Sequence, residues 1–233
     1  MTAPLAMLPP ALLWLTVTLG VFEAFDTVSR RFGRHPLAHP VLWSTPVLIG
    51  VLLLTGTQYA DYKLATFPLS FLLGPAVVGL AVPIHTEWPR IRRLAKPLAL
   101  ALLAGAVTSI VSAVGILALF GAPEEILASI APRATTTPVA MAIATQLGGV
   151  PALAAVIVLF SGVVGAMVAT PLLNALGIRD YRVRGFATGV AAHGIGAARA
   201  FQVNRTAGAL ASLGMALNAV LTAALLSIVA LLV

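Results

Sequence analysis

The chain has 233 residues, 60% of them apolar and 9% charged, whereas soluble domains run near about 45–50% apolar and about 25% charged. A water-facing surface built from so few charges would expose broad apolar patches, which soluble monomers avoid, so the composition excludes a soluble fold. The formal charge of +7 does not indicate nucleic acid, because the basic residues sit at the ends of apolar runs and not on one polar face interleaved with aromatics.

Charge-free runs cover residues 1–22, 35–60, 64–86, 97–123, 134–178 and 206–233, and each can hold a helix of the roughly 20 residues that cross a bilayer. The first run lacks a basic segment before it and is expected to stay as a first span, at about 6–25. Spans two, three and four are expected at about 38–56, 66–85 and 97–120. Asp61, Lys63, Tyr59 and Tyr62 fall in the loop after span two and are expected to be solvated or interfacial. The run 134–178 is too long for one helix and should break at Gly148-Gly149-Val150-Pro151.

Three basic clusters, Arg30/Arg31/Arg34, Arg90/Arg92/Arg93/Lys96 and Arg179/Arg182/Arg184, mark one face of the membrane, and Glu124 and Glu125 mark the other. Counting crossings from a start outside, residues 123–148 begin and end on the outer side, so they must form a re-entrant hairpin or a surface element. Residues 185–198 are also short for a span, at about 14 residues, and are rich in Gly and Ala. Irregular backbone survives at membrane depth only where protein or a water-filled cavity surrounds it, so both segments belong in the interior. The fold class is therefore all-α and integral to the membrane, with about six to eight transmembrane helices including broken or re-entrant half-helices. The chain reads as one polytopic domain, with N-terminal spans over 1–120 and a second half over 121–233. A short echo between residues 74–81 and 137–144 is compatible with an inverted repeat, and with chance similarity of small residues. Gly74 and Pro75 are expected to interrupt a helix there, as Gly194 is near His193. Small residues such as Gly162, Gly165, Ala207, Ala211 and Gly214 read as packing surfaces between helices.

His193 is the one histidine inside a candidate membrane segment, whereas His35, His39 and His85 flank spans. An ionisable group there is a functional candidate by default; the alternative is a neutral imidazole satisfied by a helix carbonyl. Arg199 can take a carboxylate bidentately or snorkel to the interface. On a continuous helix the two would point about 120° apart, so a shared site requires a break at Gly194 or Gly196, or a wide cavity. Thr135, Thr136, Thr137 and Pro138 read as a helix start, with a threonine cap and Pro at the first turn; its free N–H groups can attract an anion or merely cap. Asn218 and Thr222, one turn apart in the last span, can hydrogen-bond between helices. No catalytic triad, phosphate loop or metal-ligand spacing is present in the sequence, and no enzyme, cofactor or metal is expected.

The stretch Ala131-Pro132-Arg133-Ala134-Thr135-Thr136-Thr137-Pro138-Val139-Ala140-Met141 resembles the Pro-Lys-Ser-Val-Thr-Thr-Pro-Ile-Ala-Met signature of the LrgB/CidB family. Gly189-Val190-Ala191-Ala192-His193-Gly194-Ile195-Gly196-Ala197-Ala198-Arg199-Ala200 resembles that family's Gly-Thr-Ala-Ser-His-Ala-x-Gly-Thr-x-Arg-Ala signature. Residues 73–83 carry a third similarity. The resemblance implies a bacterial plasma-membrane protein described as antiholin-like, acting with a small LrgA/CidA-type partner on murein hydrolase activity. It also implies carriage of small monocarboxylates, because plastid relatives move glycolate and glycerate and bacterial ones are tied to pyruvate. The positions carried over are Thr136, Thr137, Pro138, His193 and Arg199, with Thr135 and Gly196 beside them as expected substrate contacts. A homo-oligomer is a further expectation. Ala142 and Gln202 stand where the family usually has acids, and a further family acid is replaced near Ala207; if those acids bind protons or sodium for coupling, the resemblance implies different coupling or facilitated diffusion here.

Overall fold

The structure, a computed structural model, describes residues 8–34, 38–79 and 81–232. His35 and the first two residues of the expected first span lie outside them. The chain divides into two compact units, residues 1–79 and 80–233. Among the described residues every regular element is a helix.

In the first unit, α1 (Leu8–Arg31) ends on Arg30 and Arg31, cations that complement the negative end of the helix dipole. Arg30 also pairs with Asp26 at 2.8 Å, one turn back. Helix α2 (Pro40–Thr55) stops at Gly56, which takes φ 65°, and the chain bends by 117° into α3 (Tyr59–Ala65). The expected outer loop is thus partly helical, and Tyr62 is half-buried. Its ring meets buried Trp14 edge-on at 5.5 Å, and its hydroxyl lies 3.0 Å from Thr18 Oγ1.

Helix α4 (Phe67–Gly79) runs through Gly74 and Pro75, so that pair does not interrupt it. Pro at position 75 removes one N–H and bends a helix without always ending it when neighbouring turns persist. Pro138, its counterpart in the echo, instead opens a helix. At 13 residues α4 is too short to cross alone.

The second unit continues with α5 (Ala81–Thr86), α6 (Trp88–Arg93), α7 (Ala95–Leu119), α8 (Glu124–Ile130), α9 (Thr137–Gln146), α10 (Pro151–Ala175), α11 (Tyr181–Val203) and α12 (Arg205–Leu232). Four helices among the described residues, α1, α7, α10 and α12, are long and apolar enough to cross a bilayer singly, and the bent pair α2–α3 would make a fifth. The expected spans at 38–56 and 66–85 are met by shorter pieces. The break in 134–178 falls where Gly and Pro place it: α9 ends at Gln146, Gly148 takes φ 76°, and Pro151 opens α10.

Residues 123–148 form two short arms, α8 and α9, joined through Pro132 and Arg133. The arms return to one another, since Ala131 and Ile143 share a buried cluster with Leu226 of α12. The base is fixed where Val150 N–H donates to Ser129 Oγ at 2.8 Å. With seven and ten residues, neither arm is long enough to cross.

Helix α11 begins on Asp180, whose carboxylate caps it by accepting from Arg182 N–H at 2.8 Å. Hydrogen bonds from Arg182 hold that carboxyl below its ordinary value, so the cap persists to lower pH than an unpaired Asp would allow. Its first half packs in parallel on α12: a methyl on Gly185 would lie 2.6 Å from Ala207 Cα, and one on Gly189 the same distance from Ala211 Cα. Glycines four residues apart facing alanines four apart let two backbones approach closely.

Candidate functional site

At His193 the backbone of α11 leaves the helix, with φ 40° and ψ −132°, a conformation that glycine favours and that strains a side-chain-bearing residue. The second half folds back. A methyl on Gly196 would lie 2.7 Å from both Ala192 Cβ and Thr188 O, whereas on a straight helix residues 188 and 196 would be about 12 Å apart. Tyr181 and Arg184 likewise share one small pocket with Arg199 and Val203. Residues 181–203 therefore enter and leave on the same side, as a second re-entrant hairpin with His193 at its tip. The break is at His193 and not at Gly194, where an added methyl would meet only Met215 Sδ at 3.8 Å. Gly196 is the glycine that the fold-back requires.

His193 is 4% exposed. Its Nε2–H donates to the carbonyl of Val158 on α10 at 3.0 Å, and that assignment fixes the tautomer because a carbonyl can only accept. The ring fits because residue 162 is glycine: a methyl there would lie 2.7 Å from Nε2. Gly165 makes the same room for Ala192. Gly162→Ala is accordingly expected to displace the imidazole and cost about 1–3 kcal/mol; an unchanged melting temperature in detergent would refute the arrangement.

The two hairpins meet at Asn218, which lies halfway along the 28-residue α12 and is wholly buried. Its Nδ2 donates to Ala134 O, in the first hairpin, at 2.8 Å and to Val190 O, in the second, at 3.2 Å. Oδ1 has no hydrogen-bond partner. Halfway along a span is near the bilayer midplane, so two interrupted segments from opposite faces are joined there by one amide.

The expected site residues do not all converge. Thr135 is buried and its hydroxyl donates to Pro132 O at 2.8 Å. Thr136 holds the N-cap position of α9 with no side-chain cap bond, and Pro138 sits in the first turn. These residues and His193 belong to the two joined tips. Arg199 does not: it is on the returning arm, donates to Gln202 Oε1 at 3.3 Å, and lines a pocket of only about 20 Å³. A larger cavity has Arg133 in its lining, with Nε buried without a partner. That cavity, about 660 Å³, lies between α7 and the first half of α11. Arg133 was legible only as a cation beside a helix start, and Asn218 only as a polar residue in an apolar span; nothing local in the sequence places either at a junction. No group of three or more metal-ligating side chains occurs among the described residues.

The profile of the LrgB-like family matches residues 18–232. This chain belongs to that family. Among its relatives, protein YxaC of Bacillus subtilis is 33% identical over 91% of both chains, and YwbG of the same organism is 31% identical over 89% of this chain and 92% of that one. The holin-like protein CidB of Staphylococcus epidermidis is 27% identical over 95% of this chain and 96% of its own. No solved structure matches. With its apolar spans, family membership makes the chain a multi-pass protein of a bacterial membrane.

Proposed function

We propose that the chain carries small monocarboxylates of the glycolate, glycerate, pyruvate and lactate class, binding them where the two hairpin tips meet. The observation that carries this reading is Asn218, bonded at mid-span to Ala134 and Val190 of two opposed re-entrant segments. Broken backbone at that depth needs protein or an aqueous cavity around it, and interrupted helices meeting near the midplane are how secondary transporters build substrate sites. A carrier also needs little chemistry beyond a place for one anion. The N-terminal end of α9 supplies the N–H groups of Thr137 and Val139, which precede the bond from Ala140 to Thr136 O, and a positive dipole end, with Pro138 fixing the first turn. His193 keeps the second tip in its strained turn through Val158, a positioning role that leaves its Nε2 proton committed.

The test is uptake of labelled glycolate or pyruvate into liposomes holding the purified chain. Saturable uptake above empty liposomes is expected, and its absence would sink the reading. The second reading, a holin-like lesion or regulator working with an LrgA/CidA-type partner or further copies of the chain, draws on the description of the Staphylococcus epidermidis relative as holin-like. It requires leakage of a large trapped dye without saturation, which a carrier does not produce.

A further inference from the structure

We infer that Arg133, not Arg199, anchors the substrate carboxylate, and that the cavity between α7 and α11 admits 2-oxo and 2-hydroxy monocarboxylates with an aliphatic body larger than glycolate's. This rests on the transport reading. The cavity starts among Leu94, Asp180 and Arg182, at the basic face, and ends against Arg133, Ser112 and Ala191. Along α7 the residues Ala101, Gly105, Thr108 and Ser112 recur at helical spacing, so one face of the helix forms the wall. Gly105 brings it against the other wall, since a methyl there would lie 3.0 Å from Val190 Cγ1.

Charge selects the ligand's valence. Arg182 at the entrance is held by Asp180 at 2.5 Å, so that pair is close to neutral. Arg133 has no carboxylate partner among the described residues, and its Nε is buried without a hydrogen bond. One uncompensated guanidinium fits one carboxylate, with geometry for a bidentate pair. A dicarboxylate would leave its second charge against Leu98, Phe186 and Val190, an apolar wall that cannot solvate it. Thr108, Ser109 and Ser112 add hydroxyls to the same lining as Arg133, groups suited to an oxygen on the carbon next to the carboxylate. At about 660 Å³ the cavity is in the range that holds drug-sized ligands, and a two-carbon acid would leave most of its apolar lining wet.

Liposomes carrying the full chain are loaded with labelled pyruvate in competition with unlabelled glycolate, 2-oxoisovalerate or succinate. Half-inhibitory concentration is expected to fall from glycolate to 2-oxoisovalerate by about fourfold per buried methylene, with succinate the weakest competitor. Arg133→Gln should raise the half-saturation concentration for pyruvate by about tenfold or more, Arg133→Lys should recover part of it, and Arg199→Gln should leave it near the unaltered value. A folded Arg133→Gln protein with unchanged half-saturation, or glycolate competing better than 2-oxoisovalerate, overturns the assignment while uptake itself stands. If Arg133→Gln does not fold, Ala104→Phe on the cavity wall serves instead: it should exclude 2-oxoisovalerate before glycolate, and equal uptake of both overturns the assignment. No saturable uptake by the unaltered chain overturns the transport reading, a result distinct from either.

Discussion

Gly189→Val is expected to leave little folded protein, with the melting transition in detergent lost or lowered by the equivalent of about 3 kcal/mol or more. The methyl carbon alone would lie 2.6 Å from Ala211 Cα and from Ala211 C, and these are backbone atoms on a facing helix that cannot rotate away. Relief requires α12 to shift from α11. In lipid there is no hydrophobic force to hold separated helices together, so their association depends on van der Waals packing. The shift would open the buried cluster of Phe186, Val190, Ala209, Leu210 and Leu213. It would also draw Asn218 from Val190 and so loosen the junction of the hairpins. Gly194→Ala is the control, since its nearest neighbour would be Met215 Sδ at 3.8 Å and the expected change is within about 0.5 kcal/mol. Equal melting temperatures for the two variants would mean that α11 and α12 do not pack as described.

The spans were legible because apolar run length and charge position act locally. The re-entrant character of 123–148 came from counting membrane faces between Glu124 and the Arg179 cluster, and its far end from Gly148, Gly149 and Pro151. The hairpin over 181–203 was legible only as a short interior segment. Its turn carries no proline, and it places His193 in a backbone conformation that the residue type disfavours, held by a bond to Val158 that is 35 positions away in sequence. The reading at Gly74 and Pro75 missed for the opposite reason: punctuating residues sit inside α4 and the helix continues. Of the two arginines in the family-like motifs, Arg199 stood out through its spacing from His193 and Arg133 did not. Spacing along a helix cannot anticipate a chain that doubles back, which turns Arg199 toward Arg184 and leaves Arg133 at the cavity's end.

Asn218→Leu is expected to cost a net of about 2 kcal/mol and to abolish saturable uptake. Two effects oppose each other. Leucine strands the carbonyls of Ala134 and Val190 that the amide now satisfies, at about 1–3 kcal/mol for each buried group left unpaired. It also removes Oδ1, a buried acceptor with no hydrogen-bond partner, which recovers about as much as one such group. Two losses against one gain leave the variant destabilised, yet by less than a chain of this size needs to unfold. Uptake should suffer more than stability, because the amide is, among the described residues, the side chain bonded to both tips, and the tips come from opposite faces. Asn218→Asp separates the two bonds at constant volume: buried at mid-span the carboxyl takes up a proton rather than keep a charge, and its single O–H can donate to one of the two carbonyls. Its stability should therefore lie between those of the unaltered chain and the leucine variant. Melting temperatures in detergent and uptake into liposomes read the two effects separately, and an Asn218→Leu protein with unaltered uptake would show that the tips are positioned without this amide.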